Sequence, residues 1–258
     1  FLKYMEGKGH VIVPSASLVP ENDPTTLFTG SGMQPMLPYL LGQPHPLGKR
    51  IADSQKCFRS QDIEEVGDNR HTVFFLFLCN WSLGDFFKEG QIDIMWDFLI
   101  NKIKLDPSRM YVSVYRGNES LNISRDGEAI NKWQEKFASV NLSAEVEMNG
   151  EQSGMRERVR IFAYPDKKNW WSRSGVPEKM PVGEPGGPDT EMFFDFDPSG
   201  VKKIHENSRY KNEVCHPNCD CGRFVEFGNN VFMQFKKIET GVEELAQKNV
   251  DFGGGLER

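Results

Sequence analysis

Two predicted β-strands joined by a polar stretch constrain the fold of this chain more than any other sequence feature. The strand candidates are residues 50–59 and 71–80, and residues 60–70 between them are mostly polar. This order is typical of a β-hairpin with an extended loop. The other strand candidates also group as hairpins and outnumber strand–helix–strand units. The sequence therefore predicts an α+β fold, with helices packed on a mainly antiparallel sheet.

Hydrophobic spacing predicts the remaining elements. Apolar residues recur at helical spacing over residues 91–105, which predicts an amphipathic helix that buries its apolar stripe. Further helices are predicted at residues 33–41, 128–139 and 239–247. Further strands are predicted at residues 10–13, 25–28, 110–115, 144–148, 190–196 and 223–236. Residues 197–222 are predicted to form a surface excursion.

The charge balance limits the class of protein. The chain has 31 Lys and Arg residues against 37 Asp and Glu residues, which gives a formal net charge of −6. This balance argues against nucleic-acid binding through bulk positive charge. No apolar stretch approaches the ~20 residues that span a bilayer, and no charged-then-apolar segment opens the chain. We therefore expect a cytoplasmic protein without membrane contact.

The two ends of the sequence indicate a piece of a longer protein. The sequence has no initiating Met, and it stops at Arg258 inside a glycine-rich candidate motif. A chain of this length usually forms one or two domains. We expect a monomeric fragment that consists of one large domain.

Three thiols and an imidazole crowd into one seven-residue stretch of the excursion. They belong to Cys215, His216, Cys219 and Cys221. Soft sulfur ligands at this density suit a structural Zn²⁺ ion, with His216 or His205 as the fourth ligand. The spacing C-x3-C-x-C differs from paired C-x2-C knuckles. A proline-stiffened turn with free thiols is the alternative.

An arginine and an aromatic ring on the predicted hairpin indicate a nucleotide site. Arg59 ends the first strand, and Phe74 with its alternate neighbour Leu76 lies on the second. Arginine binds phosphate through a planar fork, and a phenyl face stacks on a purine. The glycines at 253–255 allow a close backbone approach and direct Arg258 toward the same cleft. The alternative is that these residues are ordinary surface and core.

Several blocks of the sequence resemble one family in order and spacing. In the hairpin they are CFR at 57–59, DIEEVG at 62–67, RHTVFF at 70–75 and NWSLGDFFK at 80–88. Elsewhere they are VPENDPT at 19–25, LFT at 27–29, NNVFMQF at 229–235 and VD at 250–251, followed by Gly253 and the run from Gly255 to Arg258. The hairpin resembles motif 2 of the class II alanyl-tRNA synthetases, and the other blocks extend the resemblance over the whole chain.

The resemblance implies a fold and a reaction. Residues 1–258 would form a class II aminoacyl-tRNA synthetase-like catalytic domain, an antiparallel sheet flanked by helices, that ends within motif 3. The protein would be an ATP-dependent ligase that converts alanine and ATP, with Mg²⁺, into alanyl-adenylate and pyrophosphate. The complete protein would then transfer alanine to tRNA(Ala) through regions that lie mostly outside this fragment.

The resemblance also implies residue roles. Arg59 would hold the α-phosphate, Phe74 would stack on adenine, and Arg258 would cover the other face of adenine and reach the γ-phosphate. Arg59 and Arg258 would thus be the catalytic residues. Asp251 would hold the substrate ammonium and Asn229 its carboxylate region. A pocket sized for one methyl group would be shaped by Trp171, Val231 and Gly253.

Leu76 departs from the family pattern, because family members usually carry Glu at this position. We expect this residue on the face that Phe74 shares with ATP, where the loss of a carboxylate weakens or abolishes function. This departure supports a non-catalytic paralogue as one alternative. A ligase of the same fold that loads a carrier other than tRNA is the other alternative, since it would share every ATP residue.

Overall fold

One mixed sheet organises the part of the chain that the structure describes. The structure is a computed structural model and describes residues 1–20 and 26–258. Within them ten strands form the sheet: β1 (Val11–Ile12), β2 (Arg50–Phe58), β3 (Phe74–Leu83), β4 (Met110–Tyr115), β5 (Glu145–Glu147), β6 (Val159–Tyr164), β7 (Trp170–Ser172), β8 (Pro185–Asp195), β9 (Phe224–Ile238) and β10 (Gly241–Gly255). The α-helices of the same residues are α1 (Leu2–Gly7), α2 (Met33–Leu40), α3 (Lys88–Trp96), α4 (Gly127–Ala138), α5 (Gly150–Ser153) and α6 (Asp166–Asn169). A π-helical segment continues α3 over Asp97–Ile103, and short 3-10 turns occupy Ser60–Glu65, Pro107–Arg109, Glu119–Leu121 and Pro177–Lys179.

The strand order places the last strand of the chain in the interior of the sheet. The order is β1-β2-β3-β10-β9-β8-β4-β6-β5, and β7 pairs with β8 beside this path. The pairs β1–β2, β4–β6 and β5–β6 are parallel, and the other ladders are antiparallel. The predicted α+β fold with a mainly antiparallel sheet is confirmed.

Helices cover the two faces of the sheet unequally. The larger core lies under α1, α3 and α4, where Ile92 and Trp133 pack against Phe252 of β10. On the opposite face, Met36 of α2 belongs to a smaller cluster with Trp81 of β3. Burial of these apolar surfaces provides the main stabilisation of the fold.

Most predicted elements form close to the expected bounds, but three differ. The helix predicted at 239–247 is wrong, because these residues belong to β10 and pair with β9. Pairing with a long neighbouring strand outweighs the weak helix preference of this Glu-, Ala- and Gln-containing segment. The helix predicted at 91–105 is divided where α3 meets the π-helical segment. Of the strand predicted at 25–28, residue 25 lies outside the described residues and residues 26–28 are not a strand.

None of the helices that the structure describes is both long enough and apolar enough to cross a bilayer.

Candidate active site

Neighbouring strands bring four predicted residues into two adjacent rows on the α2 face of the sheet. Asp251 of β10 lies opposite Val231 of β9, and Gly253 lies opposite Asn229. Opposed residues of antiparallel strands project from the same face, and so do residues two apart on one strand. On its other side Asp251 lies opposite Trp81 of β3. Strand register alone therefore assembles this part of the site.

A cavity of about 280 Å³ opens over these rows. Seven of the eight residues predicted to bind ATP or the amino acid line it: Arg59, Trp171, Asn229, Val231, Asp251, Gly253 and Arg258. Its wall also contains three phenyl rings and four further carboxyl groups, those of Phe75, Phe77, Phe227, Asp62, Glu191, Glu226 and Glu257. The cavity therefore combines cationic, acidic and aromatic groups.

The Arg59 guanidinium is held on the cavity wall by its inner nitrogen. Its Nε donates a hydrogen bond to the Gly30 carbonyl oxygen at 2.8 Å. Its Cζ lies 5.0 Å from the centre of the Phe75 ring and 5.8 Å from that of Phe77, distances at which cation–π attraction acts. The terminal nitrogens, which form the phosphate-binding fork, donate to no residue that the structure describes. The group is thus restrained and still suited to an anionic ligand.

Phe74 projects from the other face of the sheet, so the expectation that it shares a cleft with Arg59 is wrong. Phe58 lies opposite Phe74 in the β2–β3 ladder, and their ring centres are 4.5 Å apart. Arg59 follows Phe58 directly, and successive side chains of an extended chain alternate between faces. Phe74 is 65% exposed, whereas Phe75 and Phe77 line the cavity.

Leu76 lies on the same face as Phe74, away from the cavity. The expectation that Leu76 removes a carboxylate from the ATP-binding face is therefore wrong. Leu76 is paired with Lys56 of β2 and is not part of the cavity lining. Its backbone N–H donates to both carboxylate oxygens of Glu257, at 3.0 and 3.2 Å, and Glu257 does line the cavity. The observation that favoured a non-catalytic protein therefore does not apply to this structure.

Arg258 reaches the cavity just after β10 ends. Its Nε and Nη2 donate to the Arg70 carbonyl oxygen at 3.1 and 2.7 Å. Its Nη1 donates to the carbonyl and carboxylate oxygens of Glu226 at 3.0 and 3.2 Å. Arg258 therefore connects the loop between β2 and β3 to β9.

Asp251 is a buried carboxyl group that faces the cavity. It is 8% exposed, and burial raises its pKa to about 7, with a smaller contribution from Asp53 and an opposing one from the Trp81 indole. Burial penalises the charged form of a carboxyl group, and a neighbouring cation favours it. A primary ammonium beside Asp251 would restore the ionised form, so the group is suited to anchor an amine.

Two further carboxyl groups escaped the sequence predictions. On β8, Asp189 lies opposite Val231 and Glu191 lies opposite Asn229, so they extend the same two rows. Burial raises the pKa of Asp189 to about 7 and that of Glu191 well above its usual range. The available signal was the two-residue spacing of Asp189 and Glu191 where the predicted strand begins.

The side-chain amide of Asn229 has one atom without a partner. The amide donates to the carboxyl group of Asp189, which lowers the pKa of that group. Its Oδ1 is buried and accepts no hydrogen bond from the described residues. A buried acceptor of this kind favours a ligand that supplies a donor, because an unmade hydrogen bond is costly.

The Cys-rich segment lies outside the cavity and does not bring His216 into a metal-ligand set. His216 Nδ1 lies 2.7 Å from the Tyr164 hydroxyl, which corrects its predicted role. The alternative, His205, lies with Cys215 and Cys221 in a group whose ligand atoms are all within 4.8 Å of one another.

Comparison with known proteins defines the class. The family model of class II tRNA synthetases (A) matches residues 1–258. The chain therefore belongs to the class II tRNA synthetase family. Relatives that match over the whole of this chain include alanine–tRNA ligases. One, from Treponema denticola, is 40% identical over 263 residues that cover 100% of this chain and 38% of the relative. Another, from Rubrobacter xylanophilus, is 38% identical over 264 residues that cover 100% of this chain and 26% of the relative.

Solved structures with a similar chain path include other tRNA synthetases. A histidyl-tRNA synthetase of S. aureus matches with a TM-score of 0.44 and 8% identity, covering 100% of this chain and 64% of that chain. A putative threonyl-tRNA synthetase of Aeropyrum pernix matches with a TM-score of 0.48 and 12% identity, covering 100% of this chain and 56% of that chain.

Proposed function

We propose that this chain activates alanine with ATP, forming alanyl-adenylate and pyrophosphate. The observation that supports this proposal is the convergence of Arg59, Arg258 and Asp251 on one cavity. Two guanidinium groups suit a triphosphate, and a single buried acidic anchor suits an amino acid. The similarity of residues 1–258 to part of the sequence of alanine–tRNA ligases, at 40% and 38% identity, supports the choice of substrate.

The chemistry requires positioning more than covalent work by the protein. A carboxylate oxygen of alanine attacks the α-phosphorus of ATP, and the bond from that phosphorus to pyrophosphate breaks. Asp251 holds the ammonium and Arg59 binds the α-phosphate, so that the reacting atoms are aligned. Arg258 stabilises the charge that moves onto pyrophosphate. No general base is needed, because the attacking carboxylate is already ionised.

We place adenine against Phe75 rather than Phe74, because Phe75 lines the cavity and Phe74 does not. The amino acid end lies over the rows at Asp251 and Asn229. The orphaned Asn229 Oδ1 can accept a hydrogen bond from the ammonium. Val231 and Gly253 border the space for the methyl group beside Asp251.

The residues of the cavity also suit Mg²⁺. This ion prefers oxygen ligands and usually binds through one or two carboxylates together with substrate phosphates. Glu226 lines the cavity beside Arg258 and is the carboxylate that we assign to it. The ion supplies additional neutralisation of the phosphate charge.

In the whole protein we propose that the adenylate is passed to tRNA(Ala), in the cytoplasm where tRNA is charged. The chain spans about 38% of the length of the Treponema relative and 26% of the Rubrobacter relative. We propose that the transfer step also uses parts of the whole protein outside residues 1–258.

Alanine-dependent exchange of labelled pyrophosphate into ATP tests the proposal. We expect exchange by the chain and a loss of at least about a hundredfold in Arg59→Ala and in Asp251→Ala, comparable to removal of an electrostatic donor in other active sites. Arg156→Ala is the matched control, since Arg156 pairs with Glu147 on the surface away from the cavity. No exchange by correctly folded protein, or exchange that both variants retain, would contradict the proposal.

A further inference from the structure

Residues 197–222 lie between β8 and β9 and have no apolar core of their own. The segment contains turns but no helix or strand. None of its residues belongs to a hydrophobic cluster of the described chain. Its buried side chains include instead His205, Cys219 and Cys221. A stretch of this length without apolar burial usually needs another source of order, such as a disulfide or a metal ion.

Four soft ligand atoms converge inside this segment. The ligand atoms of His205, Cys215 and Cys221 all lie within 4.8 Å of one another. Cys219 adds a fourth, because its Sγ lies 3.8 Å from His205 Nδ1. Tetrahedral zinc with Zn–S bonds of about 2.3 Å and Zn–N bonds of about 2.0 Å separates its ligand atoms by roughly 3.5–4 Å. The 3.8 Å separation of Cys219 Sγ and His205 Nδ1 falls in this range, and small side-chain adjustments would bring the other ligand atoms to it. Three thiols with one imidazole form a known structural zinc set.

Hydrogen bonds around the cluster match those that support zinc ligands. His205 Nε2 lies 3.1 Å from the Glu213 carbonyl oxygen, so it can donate there while Nδ1 faces the thiols. Metal-ligating histidines commonly donate their second ring N–H in this way. The backbone N–H of Arg223 donates to Cys221 Sγ at 3.5 Å, which stabilises a thiolate.

The cluster is connected to the loop that carries the nucleotide-site contacts. Arg70 Nη1 donates to the Asp220 carboxylate at 2.7 Å, and Asn69 Nδ2 donates to the Gly222 carbonyl oxygen at 2.9 Å. Both acceptors flank Cys221. The carbonyl oxygen of Arg70 in turn accepts two hydrogen bonds from Arg258.

We propose that Cys215, Cys219, Cys221 and His205 bind a structural zinc ion that braces residues 60–70 and thereby positions Arg258. The effect on Arg258 rests on the proposed function, but metal binding does not. Zinc cross-links the segment from four positions and supplies the order that apolar burial does not. The ion takes no part in the reaction.

Metal content tests the site without reference to activity. We expect about one zinc ion per chain after purification without chelators, and loss of that zinc in Cys219→Ser and in His205→Ala. His216→Ala is the matched control and keeps its zinc, because His216 bonds to Tyr164 instead. Cobalt substitution of the wild-type chain should give the absorption of a tetrahedral, thiolate-rich site. Zinc near zero in wild-type protein that also takes up no cobalt would overturn the proposal, as would zinc lost from His216→Ala and kept by His205→Ala.

Chelation of the intact chain tests the brace and avoids variants that fail to fold. We expect removal of zinc to increase hydrogen exchange in residues 60–70 and 197–222 and to raise the KM for ATP by at least about threefold, with recovery when zinc is returned. Unchanged exchange in residues 60–70 after complete zinc removal would refute the bracing role. If zinc content and protection behave as expected but the chain shows no pyrophosphate exchange, the proposed function fails and the metal site stands.

Discussion

Asp251 is the residue whose environment departs most from that of an ordinary surface carboxyl. It lies among Trp81, Val231 and Asp53, where water cannot stabilise its charge. The protein therefore holds a group that is close to half protonated at neutral pH until a cation arrives. Such a group strongly favours ligands with an ammonium, because a neighbouring cation offsets the free-energy cost of burying the charged carboxylate.

The titration of Asp251 should appear in the affinity for alanine. Its ionised form holds the ammonium, and its pKa in the free protein is raised to about 7. Lowering the pH from about 8 to about 6 should therefore raise the KM for alanine by about tenfold, as one raised carboxyl group predicts. Pyrophosphate exchange at several alanine concentrations measures this effect. A KM that does not change over this range would contradict the assignment.

The same carboxyl group should lower the stability of the fold at neutral pH. Its pKa is raised above the value of 3.8 that it has when exposed. The folded chain therefore resists ionisation, and stability falls as the pH rises from about 4 to about 7. Asp251→Asn should increase the free energy of unfolding at about pH 8 by up to about 4 kcal/mol, since the pKa is raised from 3.8 to about 7 and one pKa unit corresponds to about 1.4 kcal/mol.

Urea denaturation of both proteins at two pH values checks this expectation. The advantage of Asp251→Asn should fall to less than about 1 kcal/mol near pH 4 and vanish below about pH 3, where the carboxyl group of the wild-type chain is protonated in both the folded and the unfolded state. A variant that is less stable than the wild type at neutral pH would show that the carboxylate is ionised and favourably bound in the fold.

At the scale of elements, the hairpin of β2 and β3 shows which features the sequence can predict. Residue spacing predicts the positions of the strands, whereas strand register determines the face on which each side chain lies. The sequence predicted the first strand to within one residue of β2 and placed the second strand three residues earlier than β3, and residues 60–70 lie between the two strands as predicted. The face of Arg59 did not follow, because it depends on the Phe58–Phe74 pairing. A shift of one residue in register exchanges every side chain between faces, and no residue type in this hairpin signals the register.

Phe74 and Phe75 project from opposite faces of β3, so their substitution should affect ATP binding differently. Phe75→Ala should raise the KM for ATP by about tenfold, because an aromatic surface under a base contributes about 1–3 kcal/mol. Phe74→Ala is the matched control, one residue away on the opposite face, and should change the KM by less than about twofold. Steady-state exchange kinetics measure both. A larger increase in the KM for ATP in Phe74→Ala than in Phe75→Ala would show that Phe74 contacts adenine.

At the scale of the whole molecule, the site depends on contacts between distant parts of the chain. The family resemblance supplied Asp251, Asn229 and Arg258, and local pattern supplied the hairpin. The β8–β9 register, which adds Asp189 and Glu191 to the site, could not be predicted, because β8 pairs with a strand that begins after the excursion. Strand pairing over such distances is set by the packing of the complete sheet.

The interior position of β10 has a consequence for the synthesis of the protein. A ribosome releases β3 and β9 before β10, so a nascent chain exposes unpaired strand edges on both sides of a gap. Such edges attract other extended chains. The floor of the cavity, Asp251 and Gly253, arrives with the strand that fills this gap. A chain arrested before residue 249 would therefore be both vulnerable to aggregation and unable to form the pocket, so completion of the sheet and acquisition of the pocket are one event.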